Sequence, residues 1–552
     1  MNTNVALFYK TEAFSSNQRQ LMGRNVAGNT FLDALLEYGS SNILSFLVED
    51  RNSLESIEKL KANYSGKVKI KTIKPRAFQA LADVGSFFVP GPDIARFCSR
   101  RSFIGHSKWS TVGITHTTAS IRVMDGIGEL LTGPIQPWDA VICTSNAVKS
   151  HLVAILDAKK NYLIHRLNIK KIPSINLPVI PLGIDTRRFQ PLREEKKTAR
   201  KSLKISSEEI VISFVGRLSW HAKAHPIPLY IALAEVSKAT GRKIVLVECG
   251  WHANEVASKV FQEAQAIFSD NIRFLYVDGR ETKNVNNVYS ATDIFVSLSD
   301  NIQETFGITP LEAMSAGIPV IVSDWDGYRE TVRDGVDGFC IQTFVPDETH
   351  QQDLIYRYEL GIDTYDYYCG HTSMNNIIDV GQLINRVKAL VENNDLRKSM
   401  GEAASKRARE VYDWSVIIRQ YEYLWRELND IRSQNVDETL FGPSIWPERL
   451  DPMIAFKEYP TKKLRYTDQL ERGVVSSVLL ERIMNNHMIT YANEVVCSAE
   501  KAQNALKKFH KPHFTTKELA MSLAPNNLRL GMRLVANLVK FDIVRLSSGA
   551  NT

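Results

Sequence analysis

The chain has 552 residues, of which 44% are hydrophobic and 23% charged, and its formal net charge at pH 7 is +7. These fractions are typical of soluble globular proteins, and the length predicts several domains that bury real cores. Glycine and proline are not enriched, which argues against long disordered stretches.

No run approaches eighteen consecutive apolar residues, so the sequence predicts no transmembrane helix. Residues 1–14 lack a basic segment followed by a long apolar one, and they predict a strand rather than a signal peptide. The six cysteines occur singly without a Cys-x-x-Cys pair, so neither a zinc site nor a disulfide framework is indicated. We therefore expect a cytoplasmic protein, with peripheral contact at the inner face of the membrane as a further hypothesis.

The first part of the chain alternates strand patterns with helical patterns. Strands are predicted at residues 4–9, 42–49, 67–73, 111–117 and 139–145. Between the first two strands, Phe31, Leu32, Leu35 and Leu36 have helical spacing. Strands that alternate with helices predict a mostly parallel sheet covered by helices.

A second series of strands begins after the segment 175–191. Its strands are predicted at residues 211–217, 243–250, 271–277, 293–299 and 319–324. They are continuous Val/Ile/Leu runs without polar alternation, as expected when helices cover both faces of a parallel sheet. The sequence therefore predicts an α/β fold with two doubly wound, Rossmann-like domains and a crossing near residues 176–195.

The C-terminal part of the chain is predicted to be different in character. Residues 382–432 are helix-rich and close the second domain, and the polar residues 433–455 predict a linker. The remaining residues 456–552 are mostly helical, and the helix–turn–helix–strand order over 514–546 resembles a winged helix.

The tail is also basic. From Asp451 onward there are 15 Lys+Arg and 9 Asp+Glu, a balance of +6, which favours phosphates or an anionic membrane, with a solvated basic face as the equal alternative. Only Arg529 and Arg533 lie on the candidate recognition helix, so a packing or partner-docking module is favoured over DNA binding. We expect no nucleic-acid partner.

The most informative motif is the segment 304–312, which begins and ends with glutamate. Pro310 fits the first turn of a helix, where its missing N–H costs nothing. Glu304 is therefore expected in the loop after a strand, and Glu312 inside the helix. The amides of the intervening residues then lie at a helix N-terminus, which favours a diphosphate. The alternative is a capped helix with two surface glutamates.

Two further segments place polar side chains at carboxyl edges of predicted strands. Arg217 ends a strand and Lys223 follows six residues later, so both cations lie where open α/β sheets bind ligands and could neutralise a leaving diphosphate. His116 follows an apolar strand of the first domain. Each of these three residues taken alone is more often a surface or core residue.

Taken in order, these features resemble the donor-binding domain of family 4, the large family of retaining glycosyltransferases with a GT-B fold. The matching features are a Gly-Arg pair followed by a lysine, the E-x-F-G-x-x-x-x-E motif, the segment EAMSAGIPVIVSD and a G-V-D-G-F close. They extend from Val211 to Phe339, and the whole resemblance covers about residues 1–432. It implies an acceptor-side domain at 1–185 and a nucleotide-sugar donor domain at 186–432.

The resemblance also implies roles for single residues. Arg217 and Lys223 match the pair that contacts the donor diphosphate. Glu312 matches the carboxylate that binds the ribose hydroxyls, and Glu304 matches the acidic residue beside the transferred sugar. His116 matches a first-domain histidine that contacts the sugar.

Backbone groups complete the implied donor site. At the helix start the donor-binding residues are Phe306, Gly307, Ile308 and Thr309. The loop from Gly23 to Gly28 takes the place of the family's glycine-rich phosphate loop, although it lacks the usual adjacent glycines. Arg24 is a hypothetical further cation for the diphosphate.

The resemblance implies transfer of a sugar from a UDP-, GDP- or ADP-sugar to a hydroxyl of a glycan or lipid-linked acceptor, in surface polysaccharide or glycoconjugate synthesis. Two mechanisms stay open: front-face substitution, in which the departing phosphate takes the acceptor proton, and a covalent intermediate through Glu304. The sequence Asp324-Trp325-Asp326 has the Asp-x-Asp form but follows the strand after the donor helix. We therefore expect no required metal and no other cofactor.

Two alternatives remain beside this function. One is another GT-B chemistry with a soluble acceptor, such as sugar-phosphate synthesis or phosphorolysis. The other is a catalytically idle GT-B scaffold whose tail recruits DNA or protein, although the joint presence of all four donor-site charges argues against idleness. The basic stretches 69–76 and 159–171 could face a membrane that carries a lipid-linked acceptor, and solvated surface is an equal alternative.

Overall fold

The computed structural model describes residues 4–14, 23–189, 193–346, 351–435 and 446–547. The chain divides into two compact units, Met1–Arg449 and Leu450–Thr552. The first unit contains two parallel six-stranded sheets, and the second contains a three-stranded antiparallel sheet with short helices. The α/β architecture with two Rossmann-like sheets is therefore confirmed.

The first six strands of the chain form one parallel sheet. They are β1 Val5–Tyr9, β2 Ile43–Val48, β3 Lys69–Ile73, β4 Ser86–Val89, β5 Ser110–Ile114 and β6 Ala140–Ile142. Their order is β3-β2-β1-β4-β5-β6. Successive side chains of β1 lie in different cores, Leu7 in one and Phe8 in the other, so the sheet is buried on both faces. Strand β4 has no counterpart among the predicted strands, because Gly85 and Pro90 flank its short apolar run and both residue types indicate turns.

The next six strands form the second parallel sheet. They are β7 Ile210–Leu218, β8 Ile244–His252, β9 Ile272–Asp278, β10 Ile294–Ser297, β11 Val320–Ser323 and β12 Gly338–Ile341. Their order is β12-β11-β10-β7-β8-β9, and the short strand β12 was not among the predictions either. Beyond it, β13 Thr343–Phe344 pairs antiparallel with β14 Ile377–Ile378.

Helices connect the strands of both sheets. Around the first sheet they are α1 Thr11–Phe14, α2 Gly23–Tyr38, α3 Arg51–Asn63, α4 Leu81–Val84, α5 Ala95–Arg101, α6 Ile121–Gly128 and α7 Asn146–Leu167. Around the second they are α8 Arg193–Ser202, α9 Ile227–Thr240, α10 Glu255–Phe268, α11 Thr282–Ala291, α12 Ile308–Ser315, α13 Tyr328–Thr331, α14 Gln352–Glu359 and α15 Tyr365–Ser373. The closing helices are α16 Val380–Glu392, α17 Asn394–Arg407 and α18 Trp414–Gln434, with a π-helical turn at Ala408–Tyr412.

Helix α18 carries the chain back from the second sheet to the first. The Tyr421 ring lies 5.0 Å from the Phe31 ring, and Arg432 donates to the carbonyl of Ser107 at 2.9 Å. The predicted aromatic face of this helix is therefore buried against the first domain, and it ties the two sheets together. In the described ranges, no helix has the length and apolar character needed to cross a bilayer.

The second unit has a small core of its own. Its strands are β15 Gln469–Arg472, β16 His513–Thr515 and β17 Val544–Leu546, in the order β16-β15-β17. Its helices are α19 Pro452–Ala455, α20 Ser477–Met484, α21 His487–Thr490, α22 Ala499–Leu506, α23 Thr516–Leu523 and α24 Leu528–Lys540. The helix–turn–helix–strand order predicted over 514–546 is present as α23, α24 and β17, and Thr515 and Glu518 form a capping box at the start of α23.

Candidate active site

The candidate active site lies at the carboxyl edge of the second sheet, where β7 and β10 are neighbours. The strand order reverses here, because β8 and β9 extend on one side of the pair and β11 and β12 on the other. The connections therefore leave in opposite directions and open a crevice, which is where open parallel sheets bind ligands. Arg217 is near the end of β7, and the loop 298–307 follows β10.

Helix α12 begins after Gly307, which has a φ of +81° that favours glycine. A Cβ at this position would also collide with the ring of Tyr328, which is fully buried. Ile308 and Thr309 form the first turn, and Thr309 Oγ1 has no hydrogen-bond partner within the described part of the chain. This helix start offers the polar groups and the dipole that bind an anion such as a diphosphate.

An ion pair between Glu304 and Lys223 occupies the centre of the site, with side chains 10% and 24% exposed. Burial raises the pKa of Glu304, but the charge and hydrogen bond of Lys223 and two backbone amides outweigh burial and leave the pKa below its ordinary value of 4.5. The two amides belong to Thr305 and Phe306. Glu304 is therefore ionised at neutral pH, and the ammonium of Lys223 balances its negative charge.

The guanidinium of Arg217 contacts the same loop. Its Nη2 donates to Oε1 of Gln303 at 3.0 Å and to the carbonyl of Ala222 at 3.3 Å. Arg217 and Lys223 thus bind residues that are adjacent in sequence, Gln303 and Glu304. The structure brings both predicted cations to the loop that leads into α12.

Glu312 lies on α12, and its Oε2 accepts a hydrogen bond from the hydroxyl of Tyr289 at 2.8 Å. Burial raises the pKa of Glu312 above 4.5, while the Tyr289 hydrogen bond and the charge of Arg188 oppose that rise. The same hydroxyl lies 3.3 Å from the carbonyl of Thr309, so its single proton is shared between the two acceptors. The Tyr289 hydroxyl therefore contacts both the carboxylate and the first turn of the helix.

His116 follows β5 at the carboxyl edge of the first sheet. Its backbone carbonyl accepts a hydrogen bond from Thr305 Oγ1 at 2.8 Å, and Thr144 Oγ1 donates to the carbonyl of Thr305 at 3.2 Å. The edges of the two sheets therefore meet at Thr305. Because Thr305 is the next residue after Glu304, the structure brings His116 beside the predicted catalytic loop.

The loop predicted between Gly23 and Gly28 is wrong, since these residues form the first turns of α2. A Cβ at Gly28 would collide with the carbonyl of Ala13, so this glycine allows α2 to pack on α1. Glycine is a poor helix former, which favours a loop in the sequence, and the packing overrides that preference. The side chain of Arg24 lies outside the described residues, and the contacts of Gly23, Arg24 and Gly28 with a diphosphate stay predictions.

Sequence patterns did not reveal every side chain of the site. The spacing of residues in the sequence does not point to Gln303, Tyr289 or Tyr328, because each of them acts through a single contact and belongs to no repeated pattern. Phe306 also differs from the other residues predicted to bind the donor, since it is 2% exposed and its ring lies 6.2 Å from that of Tyr412. The backbone amide of Phe306 donates to Glu304.

The two carboxylates of the Asp-x-Asp sequence have different partners. Asp324 pairs with Arg329 at 3.3 Å, whereas Asp326 Oδ1 accepts a hydrogen bond from Ser145 Oγ at 2.8 Å. Over the residues that the structure describes, no group of three or more His, Cys, Asp or Glu side chains is placed to hold a metal ion.

Between β13 and β14 the chain carries α14 and α15. On one side this excursion lies against the loop 298–307, where Asn301 Nδ2 donates to the carbonyl of Cys369 at 3.5 Å. On the other side it reaches the first domain, where the amide of Ile121 donates to the hydroxyl of Tyr358 at 3.5 Å. This excursion therefore spans the crevice beside the candidate site.

Residues 195–356 match the family model described as glycosyl transferases group 1. The chain is 31% identical over 224 residues to the lipopolysaccharide core biosynthesis mannosyltransferase LpsB of Rhizobium meliloti, covering 40% of this chain and 55% of that protein. It is 31% identical over 247 residues to a D-inositol 3-phosphate glycosyltransferase of Actinosynnema mirum, covering 43% of this chain and 57% of that protein. The chain thus spans a little over half the length of these curated relatives.

The fold has a counterpart among solved structures. The crystal structure of Anabaena Alr3699/HepE in complex with UDP superposes with a TM-score of 0.50 and 14% sequence identity, covering 77% of this chain and 99% of that one. Together with the two parallel six-stranded sheets, this likeness shows a GT-B fold for the first unit.

Proposed function

We propose that the protein is a retaining glycosyltransferase of the family 4 type, which transfers a sugar from a nucleotide diphosphate-sugar to an acceptor hydroxyl. One observation carries the proposal: an ionised Glu304, two cations and a helix start converge where the strand order reverses. The match of residues 195–356 to group 1 glycosyl transferases supports it independently. We assign residues 1–185 to the acceptor side and 186–432 to the donor side.

The donor would bind along α12 and the end of β7. Arg217, Lys223 and the first turn of α12 neutralise the diphosphate, and Glu312 binds the ribose hydroxyls. When the bond between the anomeric carbon and the diphosphate breaks, these groups stabilise the negative charge that grows on the leaving oxygen. The acceptor oxygen then bonds to the same face of the sugar, and its proton passes to the departing phosphate. Glu304 lies beside the sugar, either as an electrostatic support or as the nucleophile of a covalent intermediate.

The acceptor side is proposed from a polar pocket of about 340 Å³ in the first domain. Its charged lining residues are Asp93, Arg96, Arg122, Asp125 and Glu129. Carboxylates accept hydrogen bonds from hydroxyls and guanidinium groups donate to oxygens, so this lining suits a polar group rather than a lipid tail. We therefore propose a polar glycan or glycan-lipid head group as acceptor, in surface polysaccharide or glycoconjugate synthesis. A soluble phosphorylated acceptor is the second candidate, which the inositol-phosphate relative favours.

Helix α7 supports peripheral contact with a membrane that would present a lipid-linked acceptor. Tyr162 and Leu167 are 56% and 60% exposed, and they lie within the basic stretch 159–171. Apolar side chains among lysines and arginines favour an anionic bilayer surface. We propose a cytoplasmic protein that contacts the inner face of the membrane through this helix.

A thermal-shift screen with UDP-, GDP- and ADP-sugars tests the donor. A ligand present at 100 times its dissociation constant is expected to stabilise the protein by about 2.7 kcal/mol, and only sugars with the correct nucleotide reach that effect. The matched control is Glu312→Gln, which should weaken binding of every sugar that carries the same nucleotide. Absence of a shift with all three nucleotides would contradict the proposed function.

Metal independence is a separate expectation. Turnover of the donor identified by the screen should be unchanged in excess chelator, because the diphosphate charge is met by side chains and helix amides. Release of free nucleotide is measured with and without chelator, and with magnesium restored. Abolition by chelator and recovery with magnesium would overturn this expectation.

A further inference from the structure

Three consecutive residues of the first domain, at the start of α7, each bond to the donor-binding domain. Thr144 Oγ1 donates to the carbonyl of Thr305 at 3.2 Å, and Ser145 Oγ donates to Asp326 Oδ1 at 2.8 Å. Asn146 then donates to Glu330 through its amide at 2.6 Å and through Nδ2 at 2.9 Å. Three adjacent residues thus contact three separate residues of the other domain.

The central contact, between Ser145 and Asp326, is the most constrained. Ser145 is fully buried and caps α7, because its Oγ also accepts from the amide of Val148 at 3.1 Å. Asp326 has a φ of +45°, a conformation that is uncommon for residues other than glycine. Its Oδ2 is buried and has no hydrogen-bond partner within the described ranges.

The surroundings of Asp326 disfavour its charge. Burial raises its pKa to about 7, and the negative charges of Glu304 and Glu330 add to that rise, while hydrogen bonds from Ser145 and from the amide of Gly327 oppose it. Tyr328, on the adjoining helix α13, is held neutral by the same burial and by the charges of Glu304 and Asp326. At pH 6 Asp326 is therefore mostly neutral and adds no second buried charge beside Glu304.

We propose that Asp326 is a positioning residue that works in its neutral form, fastening the start of α7 to the donor-binding domain so that His116 and Glu304 keep their mutual placement. It acts through its contact with Ser145. The role in turnover rests on the proposed function, whereas the fastening itself does not. Ionisation of Asp326 strengthens its hydrogen bond from Ser145 but places a second buried negative charge beside Glu304, and burial and repulsion outweigh the hydrogen bond, so the fastened arrangement loses stability as pH rises through about 7.

Amide hydrogen exchange of the full chain without donor tests the fastening. In the native protein, amide exchange over residues 144–150 should accelerate between pH 6 and pH 8.5 by about tenfold more than the intrinsic chemical exchange rate does. The reason is that a difference of one pKa unit changes the equilibrium between the fastened and the open state about tenfold. In Asp326→Asn, whose amide imitates the neutral acid, that excess should vanish. An equal excess in both proteins would overturn the proposal.

Two further variants keep the test specific. Asp324→Asn removes a carboxylate from the same loop without touching Ser145, and it should retain the native pH dependence. Asp326→Ala should show fast exchange at every pH, because the contact with Ser145 is lost. Burial also raises the pKa of Asp300 to about 7. Because all these proteins retain Asp300, its titration contributes equally to each of them and does not affect the comparison.

The consequence for turnover is measured with the donor from the screen. Native turnover should fall about tenfold above pH 7 with little change in KM, and Asp326→Asn should keep its rate there. If exchange behaves as expected but no donor turns over, the proposed function fails and the fastening stands. If turnover occurs with the same pH profile in native protein and Asp326→Asn, the positioning role is wrong and the proposed function stands.

Discussion

Replacing Lys223 with methionine is expected to reduce donor turnover at least about 100-fold and to lower the free energy of unfolding by about 3 kcal/mol near pH 8. Methionine keeps the apolar stem but removes the ammonium that pairs with Glu304. The carboxylate then stays buried without its counter-ion, and the diphosphate loses one of its proposed cations. Removal of the Lys223 ammonium thus accounts for both the loss of turnover and the loss of folding stability.

The pH dependence of stability should change sign in this variant. In the native protein the lowered pKa of Glu304 contributes stability that is present above the unfolded pKa and is lost as pH falls through the folded value. Without Lys223, burial dominates and raises the pKa of Glu304. The variant should therefore be destabilised most at alkaline pH and recover towards native stability near pH 4, as measured by chemical denaturation across that range.

Lys238→Met is the matched control. Lys238 pairs with Glu235 on the surface of α9, with both side chains more than half exposed, and exposed pairs contribute at most about 1 kcal/mol. Glu304→Gln placed on top of Lys223→Met should restore much of the stability, since a neutral amide needs no counter-ion, but not the turnover. If Lys223→Met resembled the Lys238 control in both turnover and pH dependence, the ion pair would not be the centre of the site.

Gly307→Ala is expected to abolish donor binding and to cost about 3 kcal/mol of folding stability. Part of the cost is the positive φ, which penalises a Cβ by about 1–2 kcal/mol, and the rest is the collision of that Cβ with the ring of Tyr328. The helix start must shift to relieve the collision, and with it the groups proposed to hold the diphosphate. Thermal unfolding with and without the donor measures both effects.

Gly335→Ala separates the two contributions. Gly335 has a φ of +74° but no atom within 4 Å of its hypothetical Cβ, so the variant should lose only the φ contribution and keep donor binding. In the double variant Gly307→Ala/Tyr328→Ala the collision is removed. Its loss of folding stability should therefore be smaller than the sum of the losses in the two single variants. Simple additivity would show that the ring is not the obstacle.

Much of the fold could be predicted because it depends on repeated patterns. The continuous apolar runs of β7 and β8 indicate a sheet covered on both faces, and the structure confirms them. Strand β4 was not predicted because Gly85 and Pro90 flank its short apolar run, although Phe87 and Phe88 are buried on opposite faces of the sheet.

The candidate site was predictable where chemistry and spacing coincide. Arg217, Lys223 and Glu304 lie at the ends of recognisable strands, and the topology then brings them to one edge. Tyr289 and Gln303 could not be predicted in this way, because a single hydrogen bond between distant parts of the chain produces no repeated pattern in the sequence. The Gly23–Gly28 segment failed for the opposite reason, since a local glycine signal was overridden by packing on Ala13.

The Lys223–Glu304 pair has a consequence for how a donor would be admitted. Because Lys223 is the counter-ion of Glu304, a diphosphate that binds as proposed would exchange with the carboxylate: it pairs with the lysine, and the carboxylate is released. Under the proposed function, Glu304 becomes free for the sugar only after the phosphates have arrived. Recognition of the two halves of the donor is then sequential, and a sugar without its diphosphate meets a carboxylate that is already occupied.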